Sequence, residues 1–167
     1  MKKGKIILLN GVSSSGKSSL AKELVEHLPD YFHISIDDFD YVIEKMENRN
    51  KNRLIPVPTE YFFHRTVKMF SDKGINLIVD QILHDTETLT DYIETFKDYS
   101  LVFVGVHCSV EELNRREQAR GDRQIGLAIA QLSFVHQQQE NYDVEVDTSK
   151  NKLETCVEQI KVALRSK

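Results

Sequence analysis

Cysteine, proline and glycine are all scarce in this chain of 167 residues. The two cysteines, Cys108 and Cys156, have no metal-ligand spacing and are too few for a disulfide framework; both read as reduced thiols in the core. With only three prolines and seven glycines, nothing resembles a low-complexity segment or an interdomain linker, and no internal repeat is visible. The six histidines also lack ligand spacing, and His107 and His136 read as structural. No apolar run approaches the ~20 residues that a membrane-crossing helix needs. Met1-Lys2-Lys3-Gly4 leads straight into an apolar run rather than a signal peptide, so a cytoplasmic location is expected. Charge of one sign is not in excess either: 22 basic against 26 acidic residues leave a net −4. That balance provides no general attraction to nucleic acid or to an anionic membrane, so neither is expected as a partner. Any anion site must be local.

One stretch supplies such a site. Gly11-Val12-Ser13-Ser14-Ser15-Gly16-Lys17-Ser18 has the form G-x-x-x-x-G-K-[ST]. It follows the apolar run Lys5–Asn10 and precedes a segment with helical spacing, Leu20, Leu24, Val25 and Leu28. Strand, glycine-bounded loop and helix are the context in which this pattern holds phosphate. The glycines let consecutive N–H groups turn toward an anion, and the helix adds its positive end. Lys17 can then reach the β- and γ-phosphates of a nucleotide, and the Ser18 hydroxyl can coordinate Mg²⁺. ATP and Mg²⁺ are the expected cofactors.

Apolar runs alternate with helix-patterned stretches along the rest of the chain, which predicts an α/β fold. The expectation is a P-loop NTPase three-layer sandwich, with a five-stranded parallel sheet and a helical lid at about 115–130. All 167 residues form one domain on this reading. The predicted strands are Lys5–Asn10, Tyr31–Ile36, Ile75–Val79, Leu101–Cys108 and Asp143–Asp147. Helices are predicted from about Lys17 to Leu28, through Met46, after Thr59, around Tyr92, after Ser109, from about Gln124 to Gln139, and from Lys152 to Leu164. Ser109 with Glu112 is a capping box, and Glu47–Arg53 reads as a polar loop. In such a sheet, ligands lie at the carboxyl ends of the strands. The phosphate loop, Asp37, Asp80 and the segment after Cys108 should therefore converge on one edge.

Phosphoryl transfer to an alcohol needs a held γ-phosphate, a metal, cations for developing charge and a carboxylate near the acceptor hydroxyl. Asp37, just after the second strand, reads as the group that takes the acceptor's proton, with a Mg²⁺-shell role or a helix cap as alternatives. Asp38 and Asp40 fit a capping role better. Asp80, closing the third strand, is either the metal-associated acid or a polar strand end facing water. Arg116 and Arg120 share a helix face, and Arg120 and Arg123 flank Gly121, a candidate hinge. Guanidinium forks suit phosphate, so Arg120 and Arg123 are expected to close over it, with Arg116 beside the nucleotide. The alternative is a solvated face paired with Glu111, Glu112 and Glu117. Phe39, Tyr41, Tyr61 and Phe62 are either core or the lining of an acceptor pocket. Asn151-Lys152-Leu153-Glu154 approximates a guanine-selecting motif but has Glu where Asp is required, and no Asp-x-x-Gly follows Asp80.

With these residues in place, the chain resembles the chloramphenicol 3-O-phosphotransferase family of small phosphate-loop kinases. The resemblance covers most of the chain. It is densest in Val104-Gly105-Val106-His107-Cys108, Arg116-Glu117, Ala119-Arg120-Gly121-Asp122-Arg123, Val135-His136 and Tyr142-Asp143-Val144-Glu145-Val146-Asp147-Thr148. It implies ATP-dependent phosphorylation of a primary hydroxyl on a small molecule. It also implies that Asp37 is the general base and that Arg120 and Arg123 are the lid arginines. The stretch between Asp37 and Asp80 looks shorter than in the antibiotic-modifying enzyme, and Asp80-Gln81 stands where that relative looks to have two acids. A non-catalytic nucleotide switch and a toxin-like nucleotide-sugar kinase are the rival readings of the same loop.

Overall fold

A computed structural model describes residues 2–47, 55–121 and 124–167. Arg123 and the polar stretch 48–54 lie outside the described residues. In chain order the elements are β1 (Ile6–Asn10), α1 (Lys17–His27), β2 (Tyr31–Ser35), α2 (Ile36–Glu47), α3 (Thr59–Asp72) and β3 (Asn76–Gln81). They continue with α4 (Thr86–Phe96), β4 (Leu101–His107), α5 (Val110–Arg120), α6 (Leu127–Gln131), β5 (Val144–Asp147) and α7 (Leu153–Arg165). The five strands form one parallel sheet in the order β2-β3-β1-β4-β5, flanked by helices on both faces.

β1 is central, and all five of its residues are buried because both of its faces are covered, as parallel sheets require. Its side chains alternate between two cores. Ile7 and Leu9 join Leu20 and Leu24 of α1 and Cys156, Val157 and Ile160 of α7. Ile6 and Leu8 join Phe63 and Val67 of α3 and Leu89, Tyr92 and Phe96 of α4. A smaller cluster of Val12, Leu113, Ala128 and Val135 ties the phosphate loop to α5 and α6. Register aligns the strand ends: Asn10 lies opposite Gln81, and Leu9 and Ser35 lie opposite Asp80. The loop that leaves β1 therefore sits beside the ends of β2 and β3.

Two expectations need correction. The strand β2 stops at Ser35 rather than Ile36, and α2 begins at once, so Asp37 and Asp38 lie in its first turn rather than ahead of it. The long helix expected over Gln124–Gln139 is only the five-residue α6. Gly126 begins it in the left-handed region, and His136 and Gln139 also take positive φ, which interrupts a right-handed helix. The Glu140 carboxylate holds that turn by accepting the His136 and Gln138 N–H groups at 2.8 and 2.9 Å. The capping box is half formed: Ser109 Oγ accepts the Glu112 N–H at 3.3 Å, while Glu112 turns to Arg115 and Arg116.

Candidate active site

The site is built on the turn after β1. Asn10 ends the strand, its Oδ1 accepting the Leu83 N–H and its Nδ2 donating to the Tyr142 hydroxyl, both at 2.9 Å. At Gly11 an added Cβ would stand 2.5 Å from the Val106 carbonyl oxygen, so the close approach of β4 demands glycine there. Ser14 (φ 61) and Gly16 (φ 96) curl the loop back on itself, and α1 starts at Lys17. The first-turn N–H groups of that helix have no intrahelical partner and face outward from the helix end. The Ser14 and Ser15 hydroxyls are buried without a hydrogen-bond partner. An orphaned buried donor set at a left-handed turn before a helix fits a phosphate.

Lys17 is buried and donates from Nζ to the Val12 carbonyl at 2.8 Å. Ser18 Oγ donates to Asp80 Oδ2 at 2.7 Å. Asp80 is 4% exposed, which rules out the water-facing strand end. Burial opposes its ionisation. The His33 ring (Nε2 3.8 Å away), the Lys17 charge and the Ser18 hydroxyl outweigh burial and hold its carboxyl below the ordinary aspartate range. A hydroxyl and an ionised carboxylate in contact are the donor pair that Mg²⁺ takes alongside phosphate oxygens. Among the described residues, no group of three or more His, Cys, Asp and Glu side chains could hold a metal without such a ligand.

Arg116 is fixed rather than waving. Its Nε donates to Glu112 Oε1 at 2.8 Å, and Nη1 reaches the Ser14 carbonyl at 3.2 Å and Thr148 Oγ1 at 3.0 Å. Thr148 Oγ1 in turn donates to the Ser15 carbonyl at 2.5 Å. The turn after β5 and the helix α5 are thus both clamped onto the phosphate loop. From the other side, Gln131 of α6 accepts the Ser13 N–H at 2.7 Å. Glu117, which the alternative reading paired with the arginines on a solvated face, is fully buried. Its two oxygens accept the Gly126 and Ala128 N–H groups, each at 2.7 Å. Glu112 does pair with Arg115, at 2.7 Å, as well as with Arg116.

These groups line one cleft of about 530 Å³. Lys17, Ser18 and Asp80 are in its wall, together with Asp37, Gln81, Arg116 and Arg120. Thr148, Asn151, Lys152 and Leu153 line another part of it. Asp37 is exposed there, with its N–H on Ser35 Oγ at 3.3 Å. Tyr41 and Tyr61 are 58% and 45% exposed and belong to neither the core nor this cleft; Phe39 packs against Phe63. Burial raises the pKa of both thiols, so Cys108 and Cys156 stay protonated. His107 and His136 are stacked at 4.1 Å, and His136 Nδ1 bonds the Tyr142 hydroxyl at 2.7 Å. Sequence reasoning assigned no role to Thr148, Gln131, Gln81 or His64. Thr148 carried a signal as the last residue of the Tyr-Asp-Val-Glu-Val-Asp-Thr stretch, and Gln81 carried one as the position where the antibiotic-modifying relative looks to have a second acid.

The sequence profile of the chloramphenicol phosphotransferase-like proteins matches residues 4–165. The chain belongs to that family. Mycobacterium tuberculosis strains CDC 1551 / Oshkosh and H37Rv each have a relative, assigned by name only as an O-phosphotransferase. Each is 32% identical over 178 aligned positions, covering 89% of this chain and 77% of the relative. The fold matches the tunicamycin resistance protein of Deinococcus radiodurans (TM-score 0.75, 20% identity, 96% and 95% of the two chains). It also matches the M. tuberculosis APS kinase, solved with AMPPNP and APS (TM-score 0.74, 16% identity, 99% of each chain). A Sinorhizobium meliloti gluconokinase shares it at TM-score 0.69 and 20% identity, over 99% of this chain and 93% of that one. At these identities the structural likeness concerns the fold, that of P-loop kinases. No helix among the described residues is long and apolar enough to cross a membrane.

Proposed function

We propose that this member of the family is an ATP-dependent O-phosphotransferase acting on a hydroxyl of a small molecule. The observation that carries the reading is that Asp37, an exposed carboxylate, lines the same cleft as Lys17, Ser18 and Asp80. The turn 11–18 and Lys17 hold the nucleotide phosphates, with Arg116, Thr148 and Asn151 along the nucleotide's path. Ser18 and Asp80 hold Mg²⁺, which when bound neutralises charge on the β- and γ-phosphates. Asp37 orients the acceptor hydroxyl and takes its proton as the acceptor oxygen bonds to the γ-phosphorus and the bond from that phosphorus to the β–γ bridging oxygen breaks, releasing ADP. Arg120 lines the cleft at the end of α5, and Arg123 follows it in sequence; both supply cations to the transferring phosphoryl group.

The test is coupled ADP release over a panel of hydroxylated compounds that includes chloramphenicol. At least one acceptor should raise release above basal hydrolysis. Asp37→Asn should lower kcat by about 10²–10⁴ while ATP affinity stays within about twofold. If nucleotide affinity or Mg²⁺ dependence is lost instead, Asp37 belongs to the metal shell. If no acceptor stimulates the wild type, the phosphotransferase reading falls.

A further inference from the structure

The incomplete guanine-type motif Asn151-Lys152-Leu153-Glu154 begins in the cleft wall after β5, where no step of the reaction above uses it. β2 and β5 are the two edges of the sheet, with β1 between them. Asp37 follows β2 and Asn151 follows β5, so the two flank the phosphate turn from opposite sides. An acceptor at Asp37 leaves the β5 side to the nucleoside. Arg116, Ala119, Asn151, Lys152 and Leu153 line that side. The loop that carries Asn151 is pinned at several points. Asp147 Oδ1 accepts the Ser149 and Lys150 N–H groups at 2.9 and 3.2 Å. The Thr148 N–H donates to the His107 carbonyl at 3.0 Å, and the Ser109 N–H to Ser149 Oγ at 3.1 Å.

That loop also sets the direction of the Asn151 amide. Its Nδ2 and the Asn151 backbone N–H both donate to the Asp147 carbonyl, at 3.3 and 3.0 Å. A carbonyl oxygen only accepts, so the side chain must present its nitrogen there, whatever the pH. The outward end is then Oδ1. Among the described residues no donor reaches it, and it is not sealed off, since Asn151 is half-buried and lines the cleft. A base on this side therefore meets an open acceptor. It meets no free carboxylate among the described residues of this wall. Both oxygens of Glu112 are taken by Arg115 and Arg116, in bonds of 2.7, 2.7 and 2.8 Å. Glu154 is exposed and stands outside the cleft lining.

Purines differ at the position that such an atom reads. Adenine carries an N6 amino group, a donor, where guanine carries O6, an acceptor, and guanine adds a donor at N2. We propose that Asn151 Oδ1 selects the base: it accepts the exocyclic amino group of adenine, so the cleft binds 6-aminopurine nucleotides over 6-oxopurine ones. Against guanine or hypoxanthine, Oδ1 faces a second acceptor and both atoms go unpaired, which is how a polar site rejects an analogue. The guanine N2 donor has no free carboxylate to meet. The proposal rests on the turn 11–18 as a nucleotide cradle, which the phosphotransferase reading shares, and it adds the residue that chooses the nucleotide. The motif is thereby an adenine reader, with its asparagine oxygen outward and its glutamate away from the base.

The experiment is calorimetric binding of ADP, IDP, GDP and purine riboside diphosphate to the full chain with Mg²⁺, which needs no acceptor. ADP should bind about tenfold tighter than IDP or GDP. Purine riboside diphosphate, which loses the donor without gaining an acceptor, should fall between them. Asn151→Ala should bring the ADP:IDP ratio to within about twofold, by weakening ADP while IDP binds no worse than to the wild type. Damage to the loop alone would weaken all four and preserve the ratio. Glu154→Gln should leave every affinity within about twofold of wild type. IDP or GDP binding as tightly as ADP, a ratio that survives Asn151→Ala, or one that moves with Glu154→Gln, overturns the proposal. None of these results touches the acceptor-stimulated turnover on which the phosphotransferase reading depends. If none of the four nucleotides binds, the cradle fails, and that reading falls with this one.

Discussion

Glu117→Ala tests whether a buried carboxylate holds the segment after α5 in place. In the wild type its oxygens accept the Gly126 and Ala128 N–H groups, each at 2.7 Å, from a side chain with no exposed area. Hydrogen bonds to a charged group contribute about 1.5–3 kcal/mol each. Removing the carboxylate also strands two backbone donors, so the total cost is about 3–5 kcal/mol. If the whole domain feels it, Tm falls by about 6–20 °C, at 2–4 °C per kcal/mol for a chain of this size. If α6 undocks alone, the global Tm moves less and the loss is local. Amide exchange separates the cases: protection at Gly126 and Ala128 should fall by roughly 10²-fold in either, since 3 kcal/mol is just over two decades. Glu117→Gln keeps one acceptor but turns an N–H₂ toward the other donor, and should cost about 1–3 kcal/mol. A Tm within about 1 °C of wild type, together with unchanged exchange at both amides, would refute the reasoning.

Gly16→Ala forces an L side chain to φ 96, at about 1–2 kcal/mol, and brings a Cβ to 3.2 Å from both Arg116 Nη1 and Thr148 Oγ1. Calorimetric ATP binding should weaken at least tenfold, and wild-type affinity would contradict the cradle. In Gly105→Ala the added Cβ meets the Tyr142 ring at 2.8 Å, and the ring is held by Asn10 and His136; the cost is about 1–3 kcal/mol by urea unfolding. Combining it with Tyr142→Leu should cost less than the sum, and strict additivity would show that the ring is not the obstacle. Burial, then the neighbouring His107 charge, lowers His136 from 6.5 to about 4, so the folded state holds the neutral ring. Its contribution is complete above pH 6.5 and is lost as pH falls toward 4, up to about 3 kcal/mol at 1.36 kcal/mol per unit. Urea midpoints of His136→Gln should therefore decline less steeply than wild type between those limits, and parallel curves would count against the assignment.

How much of this was legible in the sequence follows from how local each determinant is. The strand β1 and the loop after it were readable because a double-sided strand is a continuous apolar run and because the turn needs glycine at fixed offsets. Strand and helix order followed from the same periodicities. Asp80 was readable only as a strand end; whether it faced water or Ser18 depended on the neighbouring strands, and the structure buries it. The segment after Gly126 misled because its apolar residues, Ala128 and Val135, are spaced as in a helix, although they reach the Val12–Leu113 cluster through turns with positive φ.

Glu117 and Gln81 show the harder limit. A glutamate three or four residues from an arginine on a charged helix looks like a helix-face pair, and at Glu112 it is one, half-buried. Nothing local distinguishes Glu117, whose partners arrive from 9 and 11 residues downstream only once α6 docks. Gln81 is further from reach, because its orientation depends on His64, 17 residues earlier, and through it on Asp91, which sits 27 residues after His64 on another helix. The turn 11–18 is thus written in contiguous residues, and its parts can be named in advance. The side chains that line the cleft with it, among them Asp37, Asp80, Arg116 and Thr148, come from separate elements, each ordinary where it stands.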